Sequence, residues 1–492
     1  MKLRRYHDAL KDARKATDLD PRYAKAWARL ATAQERLQYP SIGSWERALA
    51  CLPTQGLSLV ERKQKEQYTA GLRAAEAYAK AKLEPIRAGP LQFGAMPWDR
   101  AAELKVELQK RAENGDASAN RSSAWVICGA YRDFEDGMTC MRSIKSVLVP
   151  GTQQFAVSGP VRGLEFLSNA VLRDSRVFHF KLGDRKFDEM YNDQDALVTA
   201  LFRSWQRQSA EQVIESAQKR LKNEGWTPTR TALSATVRSW ILRGYITGCA
   251  NTDTKASAYW YGEALHVLEW GQQTWKKEQK AVRGAIFEHT FVRGVRGLHL
   301  DAYMQSCAWD ATDDPEYSWE RVLEEAQEQL RDIRGHPIVD PDDPGFSSSF
   351  CDYPRGQAFA AIGLYFKHLA RFGPDKDQAT VNKHLDESAS MYLAAAHAFP
   401  ADDEHHAWFL YCGVEIMFEA GRPLSRTLPI ISDIREVMPK YKPIWENSLM
   451  GRKGMEQKLQ MYIDFASTTQ KSVDEGTHIL ESVVWPDWFL SG

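Results

Sequence analysis

An all-α fold is the class this sequence predicts, and three observations carry that expectation. Apolar residues recur at the helical period along almost the whole chain. Two of the periodic runs open with a capping box, Ser58 to Glu61 and Ser209 to Gln212. Alternation of strand type is confined to one short run, Ser175 to Lys181, and a single run cannot make a sheet. The 492 residues are 43% hydrophobic and 26% charged, values of a folded globular chain with a sizeable core. With 64 basic against 65 acidic residues the net charge is −1, which excludes a strongly basic nucleic-acid binder.

Taken in order, the periodic segments are as follows. Leu59 to Lys82 is rich in alanine and charge and stops at Pro85. Further helices are expected over roughly 98–113, 124–147, 187–207, 209–223, 230–246, 257–280, 317–333, 356–372, 381–398, 404–420 and 424–437. Residues 113–123 are polar and rich in small side chains, the composition of a linker or long loop. Residues 336–349 carry Pro337, Pro341, Pro344 and Gly345 without periodicity and read as another loop. The expected organisation is a repeat segment over 1–57, a helical connector over 58–118, a helical body of unassigned type over 119–345, degenerate helical repeats over 346–470 and an apolar tail over 471–492.

The most specific signal is an internal repeat at the N-terminus. Ala9, Ala13, Ala16 and Pro21 recur as Ser41, Trp45, Ala48 and Pro53, an offset of 32 residues throughout. Trp27 and Leu30 lie between them, in a Trp-x-x-Leu pattern that starts six residues after Pro21. Small residues at these positions let two helices approach closely, and the proline ends the second helix of each pair. A period in the low thirties with this first helix marks a helix–turn–helix solenoid. The stretch resembles the tetratricopeptide repeat family over about 53 residues, with Ala31 where that family usually has Gly. A fainter echo of the spacing occurs at Ser388, Tyr392, Ala395 and Pro400, and again at Thr427, Ile431, Ile434 and Pro439, with Trp445 six residues beyond. Residues 1–20 read as the second helix of a repeat whose partner is missing, so the sequence is expected to be N-terminally incomplete. Otherwise Leu3, Tyr6, Leu10 and Ala13 need another packing surface.

The resemblance also implies a site. Lys25 and Arg29 lie four apart on the first helix of the complete repeat and therefore share a face. The segment Tyr23 to Arg29 is similar to the Lys-x-x-x-Arg of chaperone-binding members, in which two cations help to clamp the carboxylates of an acidic Glu-Glu-Val-Asp tail of heat-shock chaperones. Charge-assisted bonds of this kind contribute ~1.5–3 kcal/mol each. Arg36 extends the same positive face. The remaining clamp positions of those members belong to preceding repeats that this sequence lacks. Solvated helix charges balanced by Asp20 and Glu35 are the plain alternative for Lys25 and Arg29.

Other clusters read as structural. Arg283, Arg293 and Arg296, each followed by glycine and interleaved with Phe287 and Phe291, have the composition of a phosphate-gripping patch, but packing glycines with buried arginine stems account for them equally well. The run Asp402, Asp403, Glu404, His405 and His406 follows Pro400 and suits the acidic first turn of a helix better than a metal site. Asp310, Asp313 and Asp314, and then Asp340, Asp342 and Asp343, are interrupted by prolines and read as loop and cap residues. His289 and His299 are ten apart and read as structural histidines. No nucleophile-elbow, zinc-protease, Walker or dinucleotide glycine pattern occurs.

Seven cysteines, an odd number with no CxxC, point to a reducing compartment, expected to be the cytoplasm. The most apolar window, Ala407 to Phe418, is too short for a bilayer and contains Glu415. The 16 tryptophans sit mostly at apolar helix positions, and the tail from Trp485 to Leu490 is expected to dock on the last helices or to anchor a partner. These readings lead to a non-enzymatic adaptor of the tetratricopeptide kind. It is expected to bind acidic peptide tails through Lys25, Arg29 and Arg36, with no cofactor or metal and neither nucleic acid nor membrane as partner. The alternatives are an enzyme with a site in the 119–345 body, around Asp310 or His289, and a plain structural scaffold.

Overall fold

The computed structural model describes residues 12–13, 15–17, 19–36, 41–53, 58–87, 95–148, 155–179, 187–250, 253–307, 317–338, 343–374 and 377–490. The fold is all-α, with one two-stranded hairpin among the described residues. The chain divides into two compact units, Met1–Phe93 and Gly94–Gly492. Residues 113–123 are not a linker: Asp116 caps a 3-10 turn, Ala117–Arg121, that leads directly into the next helix. No described helix is long and apolar enough to cross a membrane.

The first unit contains α1 (Ala24–Arg36), α2 (Ile42–Ala50) and α3 (Leu59–Arg87), each packed on the next. The six-residue spacing of Pro21 and Trp27 is explained by a hydrogen bond, since the indole Nε1 donates to the Pro21 carbonyl at 2.9 Å. Ala31 and Ala48 are fully buried and belong to the same apolar cluster of this unit. Trp45 donates from Nε1 to Glu35 at 2.7 Å and packs on Tyr68, with ring centroids 5.9 Å apart. Gly71 admits that indole, because a Cβ there would lie 2.6 Å from the ring. The Ser58 capping box forms as expected: the Ser58 backbone donates to Glu61 at 2.8 Å, and the Glu61 backbone donates to the Ser58 hydroxyl at 3.3 Å. Leu3, Tyr6 and Leu10 lie outside the described residues.

The second unit begins with α4 (Pro97–Glu113) and α5 (Ser123–Arg142). The helix expected over 124–147 stops at Arg142, and Lys145–Leu148 (β1) pairs antiparallel with Phe155–Ser158 (β2). After α6 (Gly163–Asp174) the expected strand at Ser175 is instead a 3-10 turn, Ser175–Val177. The Asp174 side chain accepts from the Arg176 backbone at 3.0 Å and so curls the chain locally, which overrides the alternating pattern. There follow α7 (Phe187–Phe202), α8 (Ala210–Glu224), α9 (Trp226–Ala250), α10 (Thr254–Thr274), α11 (His289–Ser306) and α12 (Trp319–Gly335).

The loop expected over 336–349 ends early. Asp343 caps a helical turn at Pro344–Ser347, which passes through a π-helical turn, Ser348–Asp352, into α13 (Tyr353–Phe372). The C-terminal run comprises α14 (Gln378–Ala398), α15 (Glu404–Glu419), α16 (Leu424–Trp445) and α17 (Met455–Asp474). Here the late echo of the repeat fails at one point: Pro439 does not end a helix. It lies inside α16 with Pro429 and Pro443, and Trp445 is the last residue of that same helix rather than the start of another repeat. Pro400, in contrast, does fall in the turn between α14 and α15.

Packing within this unit runs in a closed circuit. α4 packs on α5, α5 on α6, α6 on α9, α9 on α10, α10 on α11, α11 on α13, and α13 to α16 each on the next. α16 then returns to pack on α4. The tail docks on the last helices: Trp485 donates from Nε1 to the Phe418 carbonyl at 2.8 Å, while Trp488 and Phe489 lie against Tyr462 and Phe418. Helix contacts are tightest at glycines. A Cβ on Gly271 would overlap the edge of the fully buried Phe287 ring, whereas one on Gly335 would meet nothing within 4 Å. Gly271→Ala is therefore expected to destabilise the protein by ~1–3 kcal/mol through overpacking. Gly335→Ala should leave the urea midpoint unchanged or slightly raised, and urea titrations of both variants beside the parent check this.

Candidate functional site

The ionisable groups fall into those whose charge is already matched inside the fold and those whose charge faces water unmatched. The largest matched cluster surrounds Arg176, at the turn after α6. Its guanidinium reaches Asp174 at 2.6 Å, Asp403 at 2.8 Å and Glu404 at 3.1 Å, and it lies 3.8 Å from the centre of the Trp445 ring. The Tyr353 hydroxyl donates to Asp403, and the Ser448 hydroxyl donates to Glu404. Beside them Asp402 accepts from the Ser123 backbone at 2.8 Å and from the Ser122 hydroxyl. The Trp445 indole donates to the Asp402 carbonyl at 2.9 Å.

Burial and charge pull these groups in different directions. Burial opposes the charge on Asp403, yet Arg176 and His405 outweigh it and hold its carboxyl far below the usual range. Burial pushes the carboxyls of Glu404 and Asp402 up, against the pull of Arg176 on the first and of the Ser122 and Ser123 bonds on the second. Arg176 loses hydration too, but Asp174 and Asp403 keep it firmly charged. The first-turn reading of residues 402–406 holds, since Asp403 caps α15 through the His405 backbone at 2.8 Å. What the sequence did not reveal is Arg176, which is more than two hundred residues away and carries no motif. Its role here is to tie α6, α13, α15 and α16 together.

The other sequence candidates resolve individually. The three arginines of the 283–297 stretch turn inward: Arg293 is fully buried on Asp332 at 2.8 Å, Arg296 reaches Glu269 at 2.6 Å and Arg283 reaches Glu288 at 3.1 Å. They are thus committed to packing rather than displayed for phosphate. His289 and His299 do not meet, since His299 lies on Glu325 at 2.8 Å while His289 lies on Asp332 at 2.9 Å. Asp310, Asp313, Asp314, Asp340 and Asp342 lie outside the described residues.

Among the exposed lysines and arginines without an ion pair, two lie together on α1. Lys25 and Arg29 are both exposed, in a stripe of α1 flanked by buried Ala26 and Ala28. The acids that would neutralise them are engaged elsewhere: Glu35 accepts from Trp45, and Asp20 accepts from the Arg22 backbone at 3.0 Å. No ion pair to either cation occurs among the described residues. Arg36 closes the helix, and its side chain lies outside the described residues. Arg29 also acts electrostatically on Tyr68 of α3, whose hydroxyl is pushed up by burial and by Tyr23 and eased down by Arg29. Tyr23 and Tyr68 thus stand close to the cationic face, a neighbourhood the repeat spacing did not reveal. A separate hollow of about 290 Å³ is lined by Pro21, Arg22, Arg47, Ala50 and Cys51 and includes neither Lys25 nor Arg29.

Against models of known protein families the chain matches none, and comparison with curated proteins finds no significant relative.

Two outcomes follow from the matched cluster. Arg176→Leu leaves Asp174 and Asp403 buried without their cation and should cost about 3–5 kcal/mol, read as a lowered urea midpoint. His406 is buried against the Phe399 carbonyl at 3.2 Å, and burial lowers its pKa from the ordinary value. The unfolded chain therefore takes up this proton more readily than the folded one. The His406 contribution is fully present above about pH 6.5 and is lost as pH falls below it. His406→Gln should flatten the stability profile between about pH 8 and pH 5, by at most one proton or about 1.4 kcal/mol per pH unit.

Proposed function

We propose that this protein is a non-enzymatic interaction module whose first unit binds an acidic C-terminal peptide through Lys25 and Arg29. The observation that carries the reading is the pair of exposed cations, four residues apart on one helix, with the neighbouring acids already bonded elsewhere. A cation with an internal partner must break that bond to bind a ligand, whereas Lys25 and Arg29 only shed water. The helix that carries them is positioned by Trp27, Trp45 and the buried alanines, so the two charges are held at a fixed spacing. A terminal carboxylate and an adjacent acidic side chain, as in a Glu-Glu-Val-Asp tail of heat-shock chaperones, supply matching anions. Arg36 is the last residue of the same helix. The resemblance of residues 23–29 to chaperone-binding tetratricopeptide repeats supports this choice of ligand over other acidic segments.

Titration with a short Glu-Glu-Val-Asp peptide tests the proposal. Binding with a Kd of about 1–100 μM is expected, weakened by added salt because the contacts are ionic and exposed. Lys25→Ala with Arg29→Ala should abolish it without shifting the thermal midpoint, since both side chains project into solvent. Absence of binding at about 1 mM peptide by the folded parent removes the chaperone-tail reading.

A further inference from the structure

The 119–345 body has no assignment in the adaptor reading, yet it holds a side-chain constellation with the chemistry of a metal centre. Asp332, in the last turn of α12, and His336, which caps that helix, are four apart and share a face. His289, the first residue of α11, enters from the neighbouring helix. Both imidazole Nδ1 atoms face the same carboxylate oxygen, Asp332 Oδ1, at 2.9 Å from His289 and 3.1 Å from His336. The two rings stack with centroids 3.4 Å apart and planes 14° from parallel. One ligand atom from each of the three residues lies within 4.8 Å of the others.

Lone pairs from two nitrogens and one oxygen converging on one small volume repel unless protons or a cation lie between them. Protons alone satisfy the arrangement when each neutral imidazole carries its single hydrogen on Nδ1. A divalent ion satisfies it as well, by replacing both protons. Adjacent ligand atoms around a tetrahedral ion with bonds of ~2.0–2.1 Å are ~3.3 Å apart, so the nitrogen–oxygen separations must open slightly and the stacked rings must tilt apart for both Nδ1 lone pairs to reach one ion. The other carboxylate oxygen is already taken: Arg293, fully buried, donates to Asp332 Oδ2 at 2.8 Å and to the His336 carbonyl at 3.0 Å. That contact fixes the carboxylate to offer Oδ1 alone and anchors the backbone that carries His336, the kind of support metal ligands require. Access is open, because the His289 and His336 side chains are 43% and 49% exposed.

We propose that His289, Asp332 and His336 bind a divalent transition-metal ion, with zinc the best fit. Two imidazoles and one carboxylate favour borderline ions over magnesium or calcium, which demand oxygen ligands. Three protein ligands leave a fourth position for water or a bound group, the arrangement of an open rather than a closed zinc site. The Arg293 cation beside Asp332 opposes the incoming charge, so affinity is expected to be moderate rather than extreme.

The test is calorimetric titration of the full-length reduced protein with zinc, paired with visible absorption after addition of cobalt. One equivalent should bind with a Kd of about 10 μM or tighter, and cobalt should develop the absorption bands of a four-coordinate nitrogen–oxygen site. His336→Ala and His289→Gln, both at half-exposed positions that leave the Arg293–Asp332 pair intact, should each weaken binding by at least ~10-fold. Absence of binding by the folded parent at about 1 mM zinc, an affinity unchanged from the parent in both variants, or a cobalt spectrum dominated by thiolate charge transfer would overturn the proposal. The first result would leave a purely hydrogen-bonded cluster, and the other two would locate the metal elsewhere. None of these results depends on peptide binding at Lys25 and Arg29, so this site and the adaptor reading stand or fall separately.

Discussion

The second unit depends on one partly buried cation. Arg176 lies where four helices meet, and each contributes a group that contacts it. Asp174 closes α6, Tyr353 opens α13, Asp403 caps α15 and the Trp445 ring ends α16. Burying several carboxyl groups side by side is costly. The fold limits that cost by placing one guanidinium against Asp174 and Asp403, with burial favouring the neutral form of Glu404. Trp445 then joins this centre to the start of α5, through its bonds to Ser123 and to the Asp402 carbonyl. Remove the arginine and the circuit of helices loses the point at which its late members meet its early ones.

Much of the fold was legible in the sequence because helix ends are local events. Ser58 and Ser209 form the reciprocal caps their spacing predicts, and Pro400 falls in the turn between two helices. The errors share one cause: a local pattern overruled by something it does not contain. The strand pattern at Ser175 gives way to a side chain that bonds its own backbone. Pro439 reads as a terminator, yet α16 runs through it as well as through Pro429 and Pro443, held by the burial of Ile431, Ile434, Tyr441 and Ile444. Burial of that much apolar surface outweighs the few hydrogen bonds the prolines remove.

The sites divide along the same line. Lys25 and Arg29 were visible because four-residue spacing on a helix is itself a geometry. Half of the His289–Asp332–His336 group was visible in principle, since Asp332 and His336 have that spacing too. The other half required knowing that α11 packs beside α12, which nothing local encodes. Arg176 was invisible for the same reason, as a single arginine without a neighbouring motif. His289 and His299 do not converge, and each finds a different acid on α12, Asp332 for one and Glu325 for the other.

The bond between Trp445 and Ser123 spans 322 residues of sequence. A ribosome delivers the chain from its N-terminus, so α5 and α6 leave the exit tunnel long before their partners exist. Throughout that interval Arg176 has only Asp174 for company, and the apolar face that will receive the last helices is open to water. Contacts of such long range form late, because the entropy of closing the loop must be overcome before they give anything in return. The circuit of helices is thus an all-at-the-end assembly, in which the early two thirds waits on its final third and is exposed to aggregation until that third arrives.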